Sequence, residues 1–348
     1  MELFRLRLLL ATPALAFALG LAGSAVAAER PATSFRLWFR GTVGGTAAVR
    51  MELAREGDRL TGRYYYETRG KDLALSGTVG ADGAAECEER AGVQVTGVLR
   101  GRLAERDGAP RLLSFEGTWS RPGGGKALPF VVVEESPQLP DDFRPLADVA
   151  RSKFATGGSA EAVFPRIGGT RAPGVLKFNA LVREAATKAI ADDGSREIRV
   201  SYRWDLLSAD LASVALTTWV YDGGAHGNYV TSSLNVDLRT GRAFRVLDLF
   251  RPGSDGLARL SRACVARLRE RLGPGADEKW IEKGAAPDEA MYGDAGVSAE
   301  GVVVRFPPYA VGPYASGGQE VTVPWTELSA VLLPGSPVSA LVAGTTGR

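Results

Sequence analysis

From Phe35 to Glu135, apolar and polar residues alternate with a period of two, and no stretch with helical spacing interrupts them. Val49, Met51 and Leu53 alternate with Arg50 and Glu52; Val93, Val95, Leu99 and Leu103 alternate with Gln94, Thr96, Arg100 and Arg102. Successive strand residues point to opposite faces, so this is the pattern of half-buried strands. A second pattern runs through the first. Apolar-x-Gly-x-apolar recurs as Leu60-Gly62-Tyr64, Leu75-Gly77-Val79, Val95-Gly97-Leu99 and Phe115-Gly117-Trp119. A glycine on the apolar face removes a side chain where a strand bends or a large neighbour fills the space. Strongly coiled antiparallel sheets need such bends. Turn signals at Glu56-Gly57-Asp58, Asp82-Gly83, Asp107-Gly108 and Pro122-Gly123-Gly124-Gly125 divide the stretch into about eight strands. Residues 28–135 are therefore expected to form an antiparallel β barrel-like module or a curled sandwich. A barrel can carry a small apolar ligand, or side chains can fill it. In the run Tyr64-Tyr65-Tyr66, Tyr65 is expected to point away from the Leu60/Tyr64 face.

Ahead of this module, residues 1–27 read as a signal peptide. Arg5 and Arg7 precede the apolar run Leu8–Leu21, Pro13 breaks it, and Ala25-Val26-Ala27 fits the small-x-small cleavage rule. The expectation is an exported, periplasmic or secreted protein with no membrane segment after cleavage. The alternative is an N-terminal anchor, for which the run is short. Lys and Arg number 42 against 40 Asp and Glu, with signs interspersed, so nothing supplies the basic surplus a nucleic-acid binder needs. Two cysteines in an exported chain could form one disulfide. However, Cys264 shares a helical face with Leu257, Leu260, Leu268 and Leu272, a pattern of apolar burial, whereas Cys87 lies in an acidic stretch of the first module.

Residues 136–150, with three prolines in SPQLPDDFRP and no periodicity, read as a linker. Residues 151–340 mix helix and strand. Pro173–Ile190 has helical spacing and a proline suited to a first turn. Arg196–Trp204, Leu211–Tyr221 and Tyr229–Leu238 read as three consecutive strands of an antiparallel sheet packed with helices, giving an α+β class overall. A helix surrounds Cys264. Gly273–Gly293 is polar and punctuated by Pro and Gly, short strands cover Val302–Phe306 and Val321–Val323, and Pro324–Leu328 opens a short helix. Residues 341–348 have no pattern and read as a loose tail.

Between the second and third of these strands lies YDGGAHGNY, which holds the only histidine, His226. Gly223, Gly224 and Gly227 permit a tight, specially shaped link. A second loop, Pro307–Gly317, carries Tyr309, Pro313 and Tyr314 among prolines that fix its backbone. Tyrosines supply rigid amphipathic contact area. Catalytic signals are sparse. There is no G-x-S-x-G elbow, no phosphate-loop motif, and one histidine is too few for a zinc site of His and Cys ligands.

Three segments occur in order: YDGGAHGN (221–228), NVDLRTGRAFRVLDLF (235–250) and FPPYAVGPYASGGQEVTVPW (306–325). FPRIGG (164–169) precedes the first helix. Together they resemble the C-terminal extracytoplasmic domain of the RsiV-type, lysozyme-sensing anti-sigma factor family, over about residues 160–340. The same domain type occurs beside a peptidoglycan deacetylase domain. The resemblance implies recognition of lysozyme or a peptidoglycan-type partner. The anti-sigma segment and membrane helix of that family have no counterpart here once a leader is removed, and the ligands of a metal-dependent deacetylase are absent. The expectation is an exported, non-enzymatic envelope binding protein with no cofactor, no metal and no catalytic residue. Its contact residues would be Tyr221, Gly224, His226, Asn228, Tyr309, Pro313 and Tyr314. Two alternatives stand beside it: a cell-wall hydrolase with His226 as general base, and an apolar-ligand carrier built on the barrel.

Overall fold

A computed structural model describes residues 34–106, 111–135, 138–154, 157–191 and 197–346. The leader, residues 1–27, and the turn at Asp107-Gly108 lie outside them. No helix among the described residues is long and apolar enough to cross a membrane.

Eight strands form a closed antiparallel barrel. They are β1 (Ser34–Val43), β2 (Ala47–Glu56), β3 (Arg59–Tyr66), β4 (Leu73–Val79), β5 (Ala84–Ala91), β6 (Gln94–Arg106), β7 (Leu112–Ser120) and β8 (Leu128–Glu134). β1 closes the barrel by pairing with both β2 and β8. The glycines let the backbones coil this tightly. Gly101 and Gly117 sit opposite each other on β6 and β7, and a Cβ on Gly117 would lie 2.1 Å from the Arg100 carbonyl oxygen. Gly97 makes room for an indole, because a Cβ there would lie 2.3 Å from Trp119 Nε1. That indole donates to Glu89 Oε2 at 2.7 Å. Glu89 is buried and also accepts from the hydroxyls of Tyr64 and Thr96, so the interior carboxylate is satisfied. Burial and the adjacent Glu89 push the Tyr64 hydroxyl far above its ordinary pKa. Phe39, Met51, Leu53, Leu99, Phe115 and Phe130 fill the rest. The notion of a carried apolar ligand finds no support in this packing.

A six-stranded sheet follows, in the order β14-β13-β12-β11-β10-β9. Its strands are β9 (Arg144–Lys153), β10 (Ser159–Gly168), β11 (Glu197–Leu207), β12 (Leu211–Tyr221), β13 (Asn228–Asp237) and β14 (Arg242–Phe244). The sheet is mixed, not antiparallel throughout. β10 and β11 run parallel, and α1 (Pro173–Ala189) crosses between them, as parallel neighbours require. α1 covers one face, packing Phe178, Val182 and Ala186 against Ile198, Val200 and Val214. Residues 144–150, read from the sequence as linker, are the first seven of the ten residues of β9. Pro145 is tolerated because β9 is an edge strand, where a missing N–H costs no ladder bond.

That edge abuts the barrel. Ala147 N donates to the Glu67 carbonyl at 2.8 Å, and the Tyr65 hydroxyl donates to the Pro145 carbonyl at 2.9 Å. Arg144 stacks over the Tyr65 ring and pairs with Asp72. Tyr65 does point out of the barrel, but into this contact, and it is buried.

The remaining chain builds a second core around a three-stranded sheet, β15 (Gly296–Val297), β16 (Gly301–Phe306) and β17 (Gln319–Pro324). Against it pack α2 (Gly256–Leu272) and the short α5 (Trp325–Leu328), with Cys264, Leu268, Phe306 and Trp325 inside. The polar stretch 273–293 holds α3 (Glu278–Gly284) and α4 (Glu289–Tyr292), too short to show periodicity. Side chains cap both: Asp277 accepts from Trp280 N and Asp288 from Ala290 N. The tail read as loose carries α6 (Ser339–Thr346). Cys87 and Cys264 are free thiols buried in separate cores, and burial pushes each up to about 12.

Candidate functional site

The two loops singled out in the sequence meet at one edge of the mixed sheet. The link 222–227 joins β12 to β13. Gly223 alone of its glycines has a positive φ, of 101°. Gly227 is required for a different reason: a Cβ there would lie 2.3 Å from the Trp219 ring. This close seat turns the loop toward the segment after β16. There Pro307–Gly318 ends in a short turn of 3-10 helix, Tyr314–Ser316, which Pro313 precedes in extended conformation.

Three rings form the junction. The His226 and Tyr314 rings stack with centroids 3.9 Å apart and planes 20° from parallel. Tyr309 lies against Tyr314, with centroids 5.4 Å apart. Hydrogen bonds fasten the loops. Tyr314 OH donates to the Gly227 carbonyl at 2.9 Å, and Gly318 N donates to Tyr229 OH at 2.9 Å. His226 Nδ1 sits 3.0 Å from the same Gly227 oxygen. No carboxylate or serine hydroxyl bonds the His226 ring among the described residues. This geometry gives His226 a stacking role on Tyr314.

Tyr309 is 50% exposed and is the one non-glycine residue with positive φ (70°) among the described residues. Such a conformation costs about 1–3 kcal/mol and persists only where its surroundings hold it. Here Trp280 Nε1 donates to the Tyr309 carbonyl at 3.0 Å. Two hollows flank the rings. One, about 440 Å³, lies between α3 and Tyr309, with Trp280, Lys279 and Lys283 on its wall. The other, about 240 Å³, is polar and runs beside Tyr229, lined by Thr217, Thr231, Arg305 and Glu320.

Of the seven contact residues expected from sequence, His226, Tyr309 and Tyr314 come together, with Pro313 beside them. Tyr221 stacks on Trp219 (6.1 Å) away from the second loop. The Gly224 N–H donates to Asp222, and Asn228 Oδ1 accepts from Tyr229 N, so both serve their own loop. Sequence reasoning missed Trp219, Tyr229 and Trp280. Trp280 stands out only as an aromatic in a polar stretch. Among the described residues, no group of three His, Cys, Asp or Glu is placed to hold a metal ion.

Residues 247–326 match a family model. Its description is "Protein of unknown function (DUF3298)". Tyr309 and Tyr314 fall inside the match and His226 outside it. The peptidoglycan-N-acetylmuramic acid deacetylase PdaC of Bacillus subtilis (strain 168) is 23% identical over 136 residues, which is 39% of this chain and 29% of that protein. The chain therefore spans under a third of this curated relative. Crystal structures of DUF3298 proteins from Bacteroides fragilis and Pseudomonas aeruginosa PAO1 superpose with TM-scores of 0.40 and 0.41, each at 17% identity. They cover 59% and 56% of this chain, and 97% and 95% of their own.

Proposed function

We propose that this protein is an exported, non-enzymatic binding protein of the cell envelope, and that the His226–Tyr314–Tyr309 surface is where a wall glycan docks. The convergence of the two loops carries this reading. A stacked His226–Tyr314 pair beside a half-exposed, conformationally strained Tyr309 presents flat rings at little further entropy cost. Aromatic faces take the C–H faces of sugar rings, while the hollow beside Tyr229 offers polar partners for hydroxyl groups. Likeness to part of a peptidoglycan deacetylase supports a wall-related role without assigning that enzyme's reaction to this chain. Lysozyme enters as a partner only through the RsiV-type resemblance.

The test is co-sedimentation with insoluble peptidoglycan, run in parallel with calorimetry against lysozyme. Wild-type protein should sediment with peptidoglycan, and Tyr309→Ala should weaken this at least tenfold with an unchanged circular dichroism spectrum. Tight lysozyme binding without glycan binding would replace the glycan by a protein partner. Absence of binding to either at tens of micromolar would sink the proposal. Wall digestion that is lost in His226→Ala would favour the hydrolase instead.

A further inference from the structure

Between the barrel and the mixed sheet lies a cavity of about 760 Å³, remote in sequence from the loops just described. This volume lies in the range that holds small organic ligands. One wall is the outer face of β1, β2 and the end of β8; the other is β11 from Ser201 to Leu207. Charged residues of both signs line it, so the wall presents no uniform field.

Two of these charges lack a counter-ion. Arg40 lines the cavity with its side chain still open to solvent, and makes no ion pair or hydrogen bond among the described residues. Its ladder partner is another arginine, Arg50, which is already committed to a buried ion pair with Glu135. Glu67 is the complement. It is 93% buried, and its carboxylate accepts from the Tyr202 hydroxyl but meets no arginine or lysine among the described residues. Glu135 adds a third incomplete group: its second oxygen, Oε2, is buried without a donor among the described residues. Buried polar atoms are normally satisfied, and buried charges are normally paired. Burial pulls the Arg40 pKa below its ordinary value, while Glu67 acts on it through space in the opposite sense.

An unpaired cation, one unpaired carboxylate and one free carboxylate oxygen of an ion-paired Glu135 facing a single cavity call for a dipolar occupant. A simple anion would suit Arg40 and be repelled by Glu67, and a simple cation the reverse. We infer that this cavity binds a small zwitterion, an amino acid or short peptide, with its carboxylate on Arg40 and its ammonium group on the oxygens of Glu67 and Glu135. Arg40 can take the carboxylate through two parallel N–H bonds. Glu67 and Glu135, both buried, supply the acceptors. The small side chains of Ala47, Ala48 and Thr42 leave the room between.

Isothermal calorimetry with triglycine, N-acetyl-triglycine and triglycine amide tests the inference on the purified protein. Triglycine is expected to bind, and each blocked peptide to bind at least tenfold more weakly. Arg40→Ala and Glu67→Gln should each weaken triglycine binding at least tenfold. Gln keeps an acceptor for Tyr202. Ala48→Phe, which narrows the cavity without touching a charge, should do the same, and an unchanged circular dichroism spectrum of each variant separates loss of the site from failure to fold. Equal binding of the blocked and free peptides overturns the zwitterion assignment. Failure of triglycine to bind at millimolar concentration, or indifference of binding to Arg40→Ala, overturns the site.

Discussion

Replacing Glu135 by Ala removes one half of a deeply enclosed ion pair. The side chains of Arg50 and Glu135 are only 4% and 7% exposed. Burial pulls Arg50 down to about 10, which still leaves it protonated at neutral pH. Without Glu135 the guanidinium keeps its charge and loses its contact partner. Breaking a buried pair on one side costs about 3–5 kcal/mol. Glu67 still acts on Arg50 through space, which places the expected loss at the lower end, about 3 kcal/mol. The double variant Arg50→Met/Glu135→Leu removes both charges and fills similar volume. It should recover most of the loss, to within about 1 kcal/mol of wild type. Urea denaturation followed by far-ultraviolet circular dichroism reads both values, with the slope against denaturant held constant as a check on the transition. A single-variant loss below about 1 kcal/mol, or a double variant as unstable as the single one, would refute the reasoning.

Gly117→Ala should destabilise the barrel by about 2 kcal/mol or more, because the added methyl must part β6 from β7 and break ladder hydrogen bonds worth about 1 kcal/mol each; thermal denaturation reads this. Tyr314→Phe removes the bond to Gly227 and should cost about 1 kcal/mol. Tyr314→Ala also removes the ring stack, about 1 kcal/mol more, and should speed hydrogen exchange in 222–229. Burial pushes the Asp237 carboxyl up, but hydrogen bonds from Arg239 and Thr240 and the Arg239 charge outweigh it and hold it below its ordinary value. A depressed carboxylate stabilises the fold above the unfolded-state pKa, about 3.9, and loses that contribution as pH falls through the folded-state pKa. Asp237→Asn should therefore lower stability at neutral pH and match wild type in strong acid. Cys87 and Cys264, pushed up to about 12, should resist a thiol-specific colorimetric reagent at pH 8 until the protein unfolds.

The barrel was legible because two signals agreed: alternation gave the strands, and the apolar-face glycines gave their tight coiling. The same alternation misled at Arg50 and Tyr65. Both point out of the barrel as the pattern requires, yet the second sheet covers that outer face and buries them. Nothing local to β2 or β3 announces a cover supplied by Pro145 and Tyr202, eighty or more residues away. The parallel β10–β11 pair was hidden because the proline-bearing β10 lies on the far side of α1 in sequence. At the loops, glycines and prolines marked His226 and Tyr314 as special, but the stack between them crosses 88 residues and needed the fold. Asn228 and Gly224 were drawn in by proximity in sequence alone, and their bonds stay within their own loop.

Hydrogen–deuterium exchange with and without saturating soluble peptidoglycan fragments tests the central claim most directly. Protection is predicted in two separated segments, 222–229 and 307–318, with no comparable change on the barrel. Protection confined to other surfaces, with both loops unchanged, would contradict the assignment of the His226–Tyr314–Tyr309 surface as the docking site.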